Sequence, residues 1–378
     1  MKREIKYIGF YDIPDAKYRR ASWIAATDKM DYICDVLERS EYSVHLVSPA
    51  WFTASEAPCV RWSTVSLGDR RKLSLAPSVG TKNKWTRNLK ILCALLWLFV
   101  FLVLRVRRRE TILVYHSPWL SMPVRWAKRM KGFYIVLEVE EVYGDVWDIG
   151  AIQRNWEGKL LAAADSYITV SDLLAERLTA RARMVLYGSY RLPECQAKLP
   201  TNDSVCLVYA GTIDSTRGAA VKAIQCVRYL PANYQVHLCG AGNVDEIVQM
   251  KEMIHDVNAE SGRMACVFHG FLHGEAFSAL LSSCHIALNP QRTGDYMCTA
   301  FPSKIVKYLS YNLRVVSSPI ESVIKSPLAS LVTFSNDDSP KAIAQAIQSL
   351  DLTETFDSRT ALRRLDEQFR NGIVELLA

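Results

Sequence analysis

The feature that most constrains this sequence is a regular alternation between short apolar runs and longer stretches with helical periodicity. Such alternation predicts parallel strands joined by helical crossovers, that is, doubly wound α/β sheets. The predicted strands are Lys6–Asp12, Ser43–Pro49, Thr111–Ser117, Tyr134–Tyr143, Ser166–Ser171, Ala182–Tyr190, Val205–Gly211, Tyr234–Gly240, Cys266–Phe271, His285–Pro290 and Arg314–Ser318. The predicted helices are Ala25–Glu38, Met122–Lys131, Arg154–Ala163, Asp172–Ala180, Ala219–Tyr229, Val244–Asn258, Gly274–Ser283, Ser303–Tyr311 and Arg359–Leu377.

The length of 378 residues favours two domains, because one ordinary core does not extend over so long a chain. The stretch 191–203 contains two prolines and has no period, so it reads as a linker. We therefore predict an N-terminal domain at 1–190 and a C-terminal domain at 204–358. A final helix at 359–378 is expected to pack back on the first domain. Two such domains imply a ligand cleft at the carboxyl ends of their strands.

The cysteines and the start of the chain indicate a reducing compartment. Ten cysteines are scattered singly, several within apolar runs such as VCLVYAG and VHLCGAG, and no C-x-x-C pair occurs. This pattern favours buried free thiols over a disulfide framework or a zinc site. The first residues, MKREIKYIGF, lack a long apolar stretch before a cleavage site, so we expect no signal peptide and a cytoplasmic location.

The segment 82–109 departs from the pattern of a soluble protein. Ile91–Leu104 is a run of fourteen apolar residues with basic residues on both sides. A spanning helix needs about 20 apolar residues and carries its basic residues mainly on one side. A helix lying in the headgroup region of an anionic membrane satisfies both facts, and predicts a protein on the inner face of the cell membrane. A buried core helix and a true span are the alternatives. The flanking basic residues are Lys82, Lys84, Arg87, Lys90, Arg105, Arg107, Arg108 and Arg109.

The sharpest local signal is the segment TAFPSKIVKYLSYNLRVVSS, which starts at Thr299. Pro302 suits the first turn of a helix, where its missing N–H costs nothing. The backbone N–H groups before that helix, with the positive end of its dipole, can then face a phosphate. The alternative is an ordinary strand–loop–helix connection. The predicted phosphate-binding residues are Thr299, Ala300, Phe301, Pro302, Ser303 and Lys304.

Two further segments follow predicted strands of the same half. In VYAGTIDSTRG, Gly211 lets the backbone come close to a ligand and Arg217 offers a bidentate phosphate contact. A solvated surface arginine is the alternative. In HLCGAG, two more glycines allow close approach, and the absence of GxGxxG argues against a nicotinamide cofactor.

These segments occur in the order and spacing of one known family. The C-terminal half resembles the donor domain of GT-B glycosyltransferases and is most similar to glycosyltransferase family 4 of bacterial polysaccharide assembly. The matching segments are YAGTIDSTRG, HLCGAG, FHGFLHGEAFSALLSSCHIALNP and TAFPSKIVKYLSYNLRVVSS; the N-terminal half matches more loosely through GFYD, KMDYI, VYHS, LEVEEVY and ADSYITVS. The resemblance implies the GT-B fold, with two doubly wound Rossmann-like domains facing across a cleft.

The resemblance also implies a reaction. A sugar moves from a nucleotide diphosphate sugar to a lipid-linked saccharide in cell-surface polysaccharide synthesis, such as that of capsule or lipopolysaccharide. Retention of the anomeric configuration is usual in the family, and no metal or cofactor is needed because protein groups neutralise the diphosphate. An inverting transferase and a catalytically inactive relative that binds nucleotide sugar or glycan at the membrane are the alternatives. A nucleic-acid module is disfavoured, because the basic residues surround an apolar run without interleaved stacking aromatics.

Site residues carry over from the family position by position. Arg217 falls where the family places a basic residue on the diphosphate, and Gly211 and Gly218 fall on that loop's glycines. Thr212 departs from the family, in which many members have a second basic residue. Contacts to the base are expected around Phe271 and Leu272.

The family's pair of glutamates is missing from this sequence. The pair would fall at Thr299 and Lys307, eight positions apart. The second glutamate normally meets the donor ribose, so Lys307 indicates a divergent subgroup. Lys304 is available as a compensating charge.

The N-terminal half offers a histidine, a group of glutamates and two arginines. The resemblance implies that His116 lies near the reacting sugar; a hydrogen-bonded strand-end histidine is the alternative. Glu138 and Glu140 fall on one face of a central strand, where an unpaired charge is costly, so one of them orients an acceptor or pairs with a basic residue. Glu140 is also a candidate base for inversion. Arg19 and Arg20 can meet an acceptor pyrophosphate or remain a solvated pair.

Overall fold

The computed structural model describes residues 3–13, 16–146, 149–178, 183–197, 204–214, 218–294 and 299–377. The chain divides into two compact units. Unit 1 comprises Met1–Val170, Leu174–Leu186 and Glu367–Ala378, and unit 2 comprises Ser171–Leu173 and Tyr187–Asp366. The division falls after Leu186, a few residues before the predicted linker, part of which lies outside the described residues.

Unit 1 is built on a sheet of eight strands in the described part of the chain. The strands are β1 (Glu4–Ile8), β2 (Ser43–Ser48), β3 (Ser63–Ser66), β4 (Arg71–Leu75), β5 (Thr111–Tyr115), β6 (Tyr134–Val139), β7 (Ser166–Thr169) and β8 (Arg183–Val185). Their order is β3-β4-β2-β1-β5-β6-β7-β8, and neighbours are parallel except for the antiparallel pair β3–β4. The connecting helices are α1 (Ile24–Arg39), α2 (Lys84–Arg105), α3 (Ser121–Lys131), α4 (Tyr143–Val146), α5 (Ala151–Ala163) and α6 (Asp172–Arg177).

Unit 2 contains a second sheet, in which all described neighbours are parallel. Its strands are β9 (Val205–Ala210), β10 (Tyr234–Cys239), β11 (Cys266–Phe268), β12 (Ile286–Asn289), β13 (Arg314–Ser317) and β14 (Val332–Phe334), in the order β11-β10-β9-β12-β13-β14. Its helices are α7 (Ala219–Gln225), α8 (Val244–Ser261), α9 (Gly274–Ser283), α10 (Lys304–Ser310), α11 (Glu321–Ile324) and α12 (Pro340–Gln348). The predicted doubly wound parallel sheets are confirmed.

The last helix, α13 (Arg359–Leu377), begins in unit 2 and ends in unit 1. In unit 1 the ring of Phe369 lies 5.9 Å from the ring of Tyr32 on α1, measured between centroids. The helix thereby contributes apolar side chains to the core of unit 1.

The cores follow from the strand composition. The central strand β5 has three consecutive residues, Ile112, Leu113 and Val114, with no solvent exposure. Successive side chains of a strand point to opposite faces, so both faces of this strand are covered. Burial of each such side chain stabilises the fold by about 1.5–3 kcal/mol. The same pattern in β12, where Ile286, Ala287 and Leu288 are fully buried, forms the centre of unit 2.

Three strands, β3, β4 and β14, and three helices, α4, α11 and α12, were not predicted. The polar sequences of β3 and β4 have no buried alternation over their first residues, and β4 pairs with the edge of a sheet formed by distant segments. The strand β14 has only three residues, and α12 starts at Pro340 after the cap Ser339, whose hydroxyl accepts the N–H of Ala342 at 3.2 Å. Short edge elements of this kind depend on the sheet that they join.

Candidate functional site

Three loops leave the carboxyl ends of β9, β10 and β11 and pack on each other through their backbones. The N–H of Gly240 donates to the carbonyl of Gly270 at 2.9 Å, and the N–H of Ile213 donates to that of Ala241 at 2.8 Å. Gly240 has a φ of +156°, and a Cβ added there would overlap the carbonyl oxygen of Gly211. The predicted close approach at the HLCGAG segment is therefore confirmed at Gly240, and the group that approaches is the neighbouring Gly211 loop.

Lys304, at the start of α10, lies beside these loops. Its ammonium nitrogen is 4.5 Å from the centroid of the Tyr209 ring, a cation–π distance. A Cβ added to Gly211 would lie 2.5 Å from the same nitrogen, so the missing side chain makes room for the ammonium group. Tyr308, one turn further along α10, holds the end of β9: its hydroxyl accepts the N–H of Ala210 at 2.8 Å and donates to that residue's carbonyl at 3.1 Å. These bonds keep Lys304 at the carboxyl edge of the sheet.

The thiol of Cys239 at the end of β10 lies near this lysine. Burial raises the pKa of Cys239 to about 11, and the positive charge of Lys304 acts in the opposite direction. The thiol is therefore neutral at physiological pH. The carboxyl edge of unit 2 places the ammonium of Lys304 next to loop backbone, an arrangement suited to phosphate.

Two serine hydroxyls hold the segment before α10. The carbonyl of Thr299 accepts a hydrogen bond from Ser171, and the carbonyl of Ala300 accepts one from Ser322 at 2.6 Å. The carbonyls of this segment are thereby engaged within the protein, which turns them away from an anionic ligand.

The next three residues lead into the helix. Phe301 is buried, with its ring centroid 5.0 Å from that of Tyr187, and Pro302 is buried as well. Ser303 is exposed and caps α10, which begins at Lys304. The sequence predicted Pro302 in the first turn of the helix, whereas in the structure it precedes the helix. Phe301 and Pro302 anchor the segment, and Ser303 and Lys304 are the side chains that it presents.

The Gly211–Gly218 loop is described only in part, because Arg217 lies outside the described residues. Thr212 is exposed, and its carbonyl accepts the hydroxyl of Tyr209 at 2.9 Å. Gly218 has a φ of +64° and starts α7, so glycine is favoured there for a backbone reason. The phosphate contact of Arg217 stays a prediction.

The remaining donor residues lie on α10 and on the loop after β11. Phe271 is exposed and Leu272 is half-buried. The ammonium of Lys307 lies 5.9 Å from the ring centroid of Tyr311, so this residue has a different aromatic neighbour from Lys304. The structure therefore brings Gly211 and Lys304 together, and it places Lys307 beside a different tyrosine.

In unit 1, His116 follows β5 and is only 1% exposed. Its Nδ1 lies 3.1 Å from the carbonyl oxygen of Glu141, and its Nε2 lies 3.4 Å from Oε1 of Glu157. Burial lowers the pKa of His116 to about 4, and burial raises the pKa of Glu157. The ring is therefore a neutral, buried strand-end histidine, and the prediction that it touches the reacting sugar is corrected.

The glutamates of β6 surround a buried lysine. Lys29 forms an ion pair with Glu140, lies 4.0 Å from Glu138 and donates to the carbonyl of Leu186 at 2.9 Å. Glu138 is fully buried and also accepts the hydroxyl of Tyr7. The predicted pairing of one glutamate with a basic residue is confirmed. Glu140 is the anionic partner of Lys29, and its role as a catalytic base stays a prediction.

The two arginines after β1 differ in exposure. Arg20 is 4% exposed, and its guanidinium donates to the carbonyls of Ala50 at 2.6 Å and Ala76 at 2.8 Å. Its backbone N–H donates to Asp12 at 2.8 Å. The acceptor-binding role predicted for Arg20 is therefore corrected to a structural one. Arg19 has an exposed side chain whose Nε is 3.9 Å from Asp12. Its contact with an acceptor stays a prediction.

Sequence reasoning missed three residues that organise these edges. Tyr209 and Tyr308 position Lys304, and Lys29 organises the glutamates of unit 1. Tyr308 could have been found, because a residue four positions after Lys304 lies on the same helix face. Lys29 lies far from β6 in sequence, and no local pattern connects the two.

The helix α2 exposes a broad apolar face. Its buried side is a stripe at every fourth position: Lys90, Ala94, Leu98 and Leu102. By length and composition alone, α2 is able to cross a membrane. Lys90 is buried and donates to the carbonyl of Phe52 at 2.7 Å, so it is removed from the predicted lipid-facing cations. The exposed apolar side chains are Trp85, Leu89, Leu92, Leu96, Val100 and Leu104.

Comparison with known proteins identifies the fold. No protein-family profile and no curated protein sequence matches this chain. Among solved structures, sucrose-phosphate synthase from Thermosynechococcus elongatus is similar over 99% of this chain and 98% of its own, with a TM-score of 0.70 and 12% identity. Trehalose-6-phosphate synthase from E. coli, bound with UDP-2-fluoro glucose, is similar over 99% and 98%, with a TM-score of 0.68 and 10% identity.

A third similar structure is the lipopolysaccharide outer core galactosyltransferase WaaB, over 98% of this chain and 99% of its own, with a TM-score of 0.61 and 11% identity. These neighbours are GT-B glycosyltransferases. The chain therefore has the predicted GT-B fold, with two Rossmann-like α/β domains. Membership of glycosyltransferase family 4 stays a prediction.

Proposed function

We propose that this protein is a glycosyltransferase that moves a sugar from a nucleotide diphosphate sugar to a lipid-linked saccharide in cell-surface polysaccharide synthesis. The observation that carries the proposal is the position of Lys304, 4.5 Å from the Tyr209 ring and next to Gly211, at the carboxyl edge of a parallel sheet. Ligands of such sheets bind at that edge. Of the structural neighbours, one is bound with UDP-2-fluoro glucose and another is a galactosyltransferase, which supports the same chemistry here.

The proposed reaction breaks the bond between the anomeric carbon and the diphosphate and joins that carbon to the oxygen of an acceptor hydroxyl, whose proton passes to the departing diphosphate. Negative charge develops on the departing nucleotide diphosphate. The ammonium of Lys304 and the hydroxyl of Ser303 stabilise that charge, with Arg217 as the predicted second cation. Protein groups thus take the place of a metal ion, and the anomeric configuration is retained.

The apolar face of α2 supports a site of action at the membrane. Leu92 and Leu96 are 62% and 58% exposed, in line with each other along the helix. Exposed basic residues follow the helix at Arg105, Arg107, Arg108 and Arg109. A wholly buried core helix does not have this exposure, and an interfacial helix does. We propose a peripheral location on the anionic inner face of the cell membrane, where a lipid-linked acceptor is available.

A thermal-shift screen against UDP, GDP, CMP and dTDP sugars tests the donor assignment. A ligand that binds only the folded state raises the free energy of unfolding with the logarithm of its concentration over its Kd, and the unfolding temperature rises with it. We expect one nucleotide class to raise it, and the selected donor then to be consumed in the presence of lipid-linked saccharides. A protein that responds to no nucleotide would contradict the proposal.

A second candidate function is nucleotide-sugar or glycan binding without catalysis. It is favoured by Lys307, which stands in place of the family's ribose-binding glutamate, and by the burial of His116. The two candidates separate in one assay. Transfer or slow hydrolysis of the bound donor by purified protein supports the enzyme, whereas tight nucleotide binding without any turnover supports the binding protein.

Membrane contact is tested with a matched pair of double variants. Leu92→Gln/Leu96→Gln removes two exposed apolar side chains of α2. Val244→Gln/Val248→Gln removes two of similar exposure, 77% and 48%, at the same spacing on α8. We expect the first variant to sediment with phosphatidylglycerol vesicles about tenfold more weakly than the parent, and the second to match the parent. Equal sedimentation of both variants would reject the α2 surface.

A further inference from the structure

An open apolar cavity lies beside the start of α5 in unit 1. It has a volume of about 530 Å³ and is lined by Trp119, Gly150, Ala151, Ile152, Gln153 and Trp156. Among these residues only Gln153 carries an amide or charged side chain; the two indoles offer a single N–H donor each. A saccharide needs several hydrogen-bond partners, whereas an aliphatic chain needs none. The lining therefore fits a hydrocarbon.

The cavity lies at the carboxyl edge of the sheet of unit 1. Trp119 follows β5, and Trp156 precedes Glu157, whose carboxylate accepts the backbone N–H groups of Tyr143 at 2.6 Å and Gly144 at 3.0 Å in the loop after β6. The hydroxyl of Ser121, near Trp119, donates to the carbonyl of Trp156 at 2.6 Å and fixes the two walls together. This edge is where a parallel sheet receives its ligand.

A row of aromatic rings continues along that edge. The Trp51 ring lies edge-on to Trp119 at 6.0 Å, and the Phe10 ring lies edge-on to Trp51 at 5.4 Å, between centroids. Phe10 and Trp51 follow β1 and β2 and are half-buried. The row therefore leads from the cavity across the ends of three neighbouring strands.

The cavity residue Trp119 is also the first of a row of exposed apolar side chains that continues along α3. Trp119, Met122, Trp126 and Met130 are all exposed and recur every three or four residues, so they form one stripe. The helix α3 packs against α2, which exposes an apolar face of its own. Exposed cations at Arg129 and in the segment after α2 complement anionic headgroups. Trp119 belongs both to this stripe and to the lining of the cavity, so it connects the exposed apolar residues with the cavity.

The geometry points to this cavity as the site that binds the first part of the aliphatic chain of the lipid-linked acceptor, next to its phosphate. The inference rests on the proposed function, which supplies an acceptor of this kind. The cavity is then a second lipid-binding region, in addition to the α2 surface. The α2 surface holds the protein on the bilayer, and the cavity receives the chain of a single acceptor molecule at the carboxyl edge.

The test uses full-length protein and farnesyl phosphate with a photoreactive diazirine at its chain end. We expect cross-links at Trp119 or within 150–156, mapped by mass spectrometry, and competition by unlabelled farnesyl phosphate. Ile152→Ser removes an apolar side chain from the cavity lining and should raise the probe concentration at half-saturation about fivefold. Because Ile152 is 66% exposed, the fold should tolerate the substitution. Val244→Ser, an exposed aliphatic residue in the first turn of α8, is the matched control and should label like the parent.

Two results would overturn the inference. One is label confined to the exposed face of α2, and the other is equal competition by phosphatidylglycerol vesicles, since either means that only bulk lipid is bound. The nucleotide thermal shift on the same preparation separates this failure from that of the proposed function. A nucleotide response without label in the cavity rejects the cavity alone. Label in the cavity without any nucleotide response supports the chain site and contradicts glycosyl transfer.

Discussion

The carboxyl edges of the two sheets use their polar residues in opposite ways. In unit 1 the ionisable side chains around β5 and β6 are turned inward: the neutral ring of His116 is buried against Glu157, and Glu138 is buried beside Lys29. In unit 2 the cation Lys304 lies over a tyrosine ring at the edge of the loops. One edge therefore uses its charges to hold its own strands together, and the other can offer a charge to a ligand.

The exposed faces of the helices also differ between the units: the face in unit 1 is apolar, and the face in unit 2 is mainly polar. In unit 1, α2 exposes leucine and tryptophan along its length, and α3 continues this surface. In unit 2, α8 begins with the cap Asn243, which accepts the N–H of Glu246 at 2.8 Å, and exposes mainly polar residues. The same architecture thus separates two tasks. Unit 2 has the features of a phosphate site, and unit 1 has the features of a surface for apolar chains.

Replacement of Lys29 should have the largest effect on stability. Lys29→Met removes the only cation within 4.0 Å of Glu138 and Glu140 among the described residues. The carboxylate of Glu140 then loses its cation beside the buried Glu138, and removal of one partner from a buried pair costs about 3–5 kcal/mol. We expect a loss of that size in urea unfolding followed by circular dichroism.

The matched control removes both signs of charge. Lys29→Met/Glu138→Gln/Glu140→Gln should recover most of the lost stability, because an uncharged cluster has no uncompensated ion. Lys72→Met removes a lysine of an exposed pair with Glu4 and should cost less than about 1 kcal/mol. If Lys29→Met were as mild as Lys72→Met, the inward use of charge in unit 1 would be wrong.

Gly240→Ala should be the most damaging small change in unit 2. The new Cβ would overlap the backbone of Gly211, and φ of +156° is unfavourable for alanine. We expect a loss of about 3 kcal/mol, and a lower affinity for nucleotide because the Gly211 loop moves.

Gly262→Ala is the control for this change. Gly262 also has a positive φ, +63°, but a Cβ there meets open space. It should cost about 1 kcal/mol and leave nucleotide affinity unchanged. Equal effects of the two substitutions in unfolding and in calorimetric titration would show that packing between the loops is unimportant.

These comparisons also show which parts of the molecule the sequence could predict. The parallel strands and the helices between them were predicted, because an apolar run such as TILVY and the periodicity of α1 are local signals. Lys304 was predicted, because a loop, a proline and a helix start are adjacent in sequence. His116 and Arg20 were assigned to ligands, since residue type and position at a strand end are the same for a buried and an exposed side chain. Their partners come from distant segments, for example Ala76 for Arg20.

Glu138→Gln should change the pH dependence of stability. Burial raises the pKa of Glu138 from the ordinary glutamate value of 4.5 to about 8. Between these values the folded state keeps a proton that the unfolded state has released, so the stability of the parent falls as pH rises from about 4.5 to about 8. Glutamine does not titrate. Across this pH window the free energy of unfolding of the variant should therefore fall by on the order of 2 kcal/mol less than that of the parent.

Urea unfolding at pH 5, 6, 7 and 8 measures this difference. Glu4→Gln is the control, because the pKa of Glu4 is lowered and its contribution to stability is lost at acid pH, outside the window. A parent and a Glu138→Gln variant with parallel pH profiles would mean that Glu138 is ionised in the folded protein.

The smallest effect, and the one that bears most directly on unit 2, is expected for Lys304→Met. The ammonium lies at the sheet edge over Tyr209, so its loss should cost little stability, less than about 1 kcal/mol. Loss of a charge-assisted contact to phosphate should weaken binding about tenfold, which corresponds to about 1.4 kcal/mol. Calorimetric titration with the nucleoside diphosphate selected by the thermal-shift screen measures this loss.

Two comparisons make the measurement specific to phosphate. Lys341→Met removes an exposed lysine from the first turn of α12 in the same unit and should leave the affinity unchanged, which controls for net charge. The parent nucleoside, which lacks phosphate, should bind Lys304→Met and the original protein equally. If the nucleoside and its diphosphate lost affinity to the same extent, Lys304 would be acting on the shape of the loop and not on the diphosphate. The contrast between an inward-facing edge in unit 1 and a ligand-facing edge in unit 2 would then lose its strongest support.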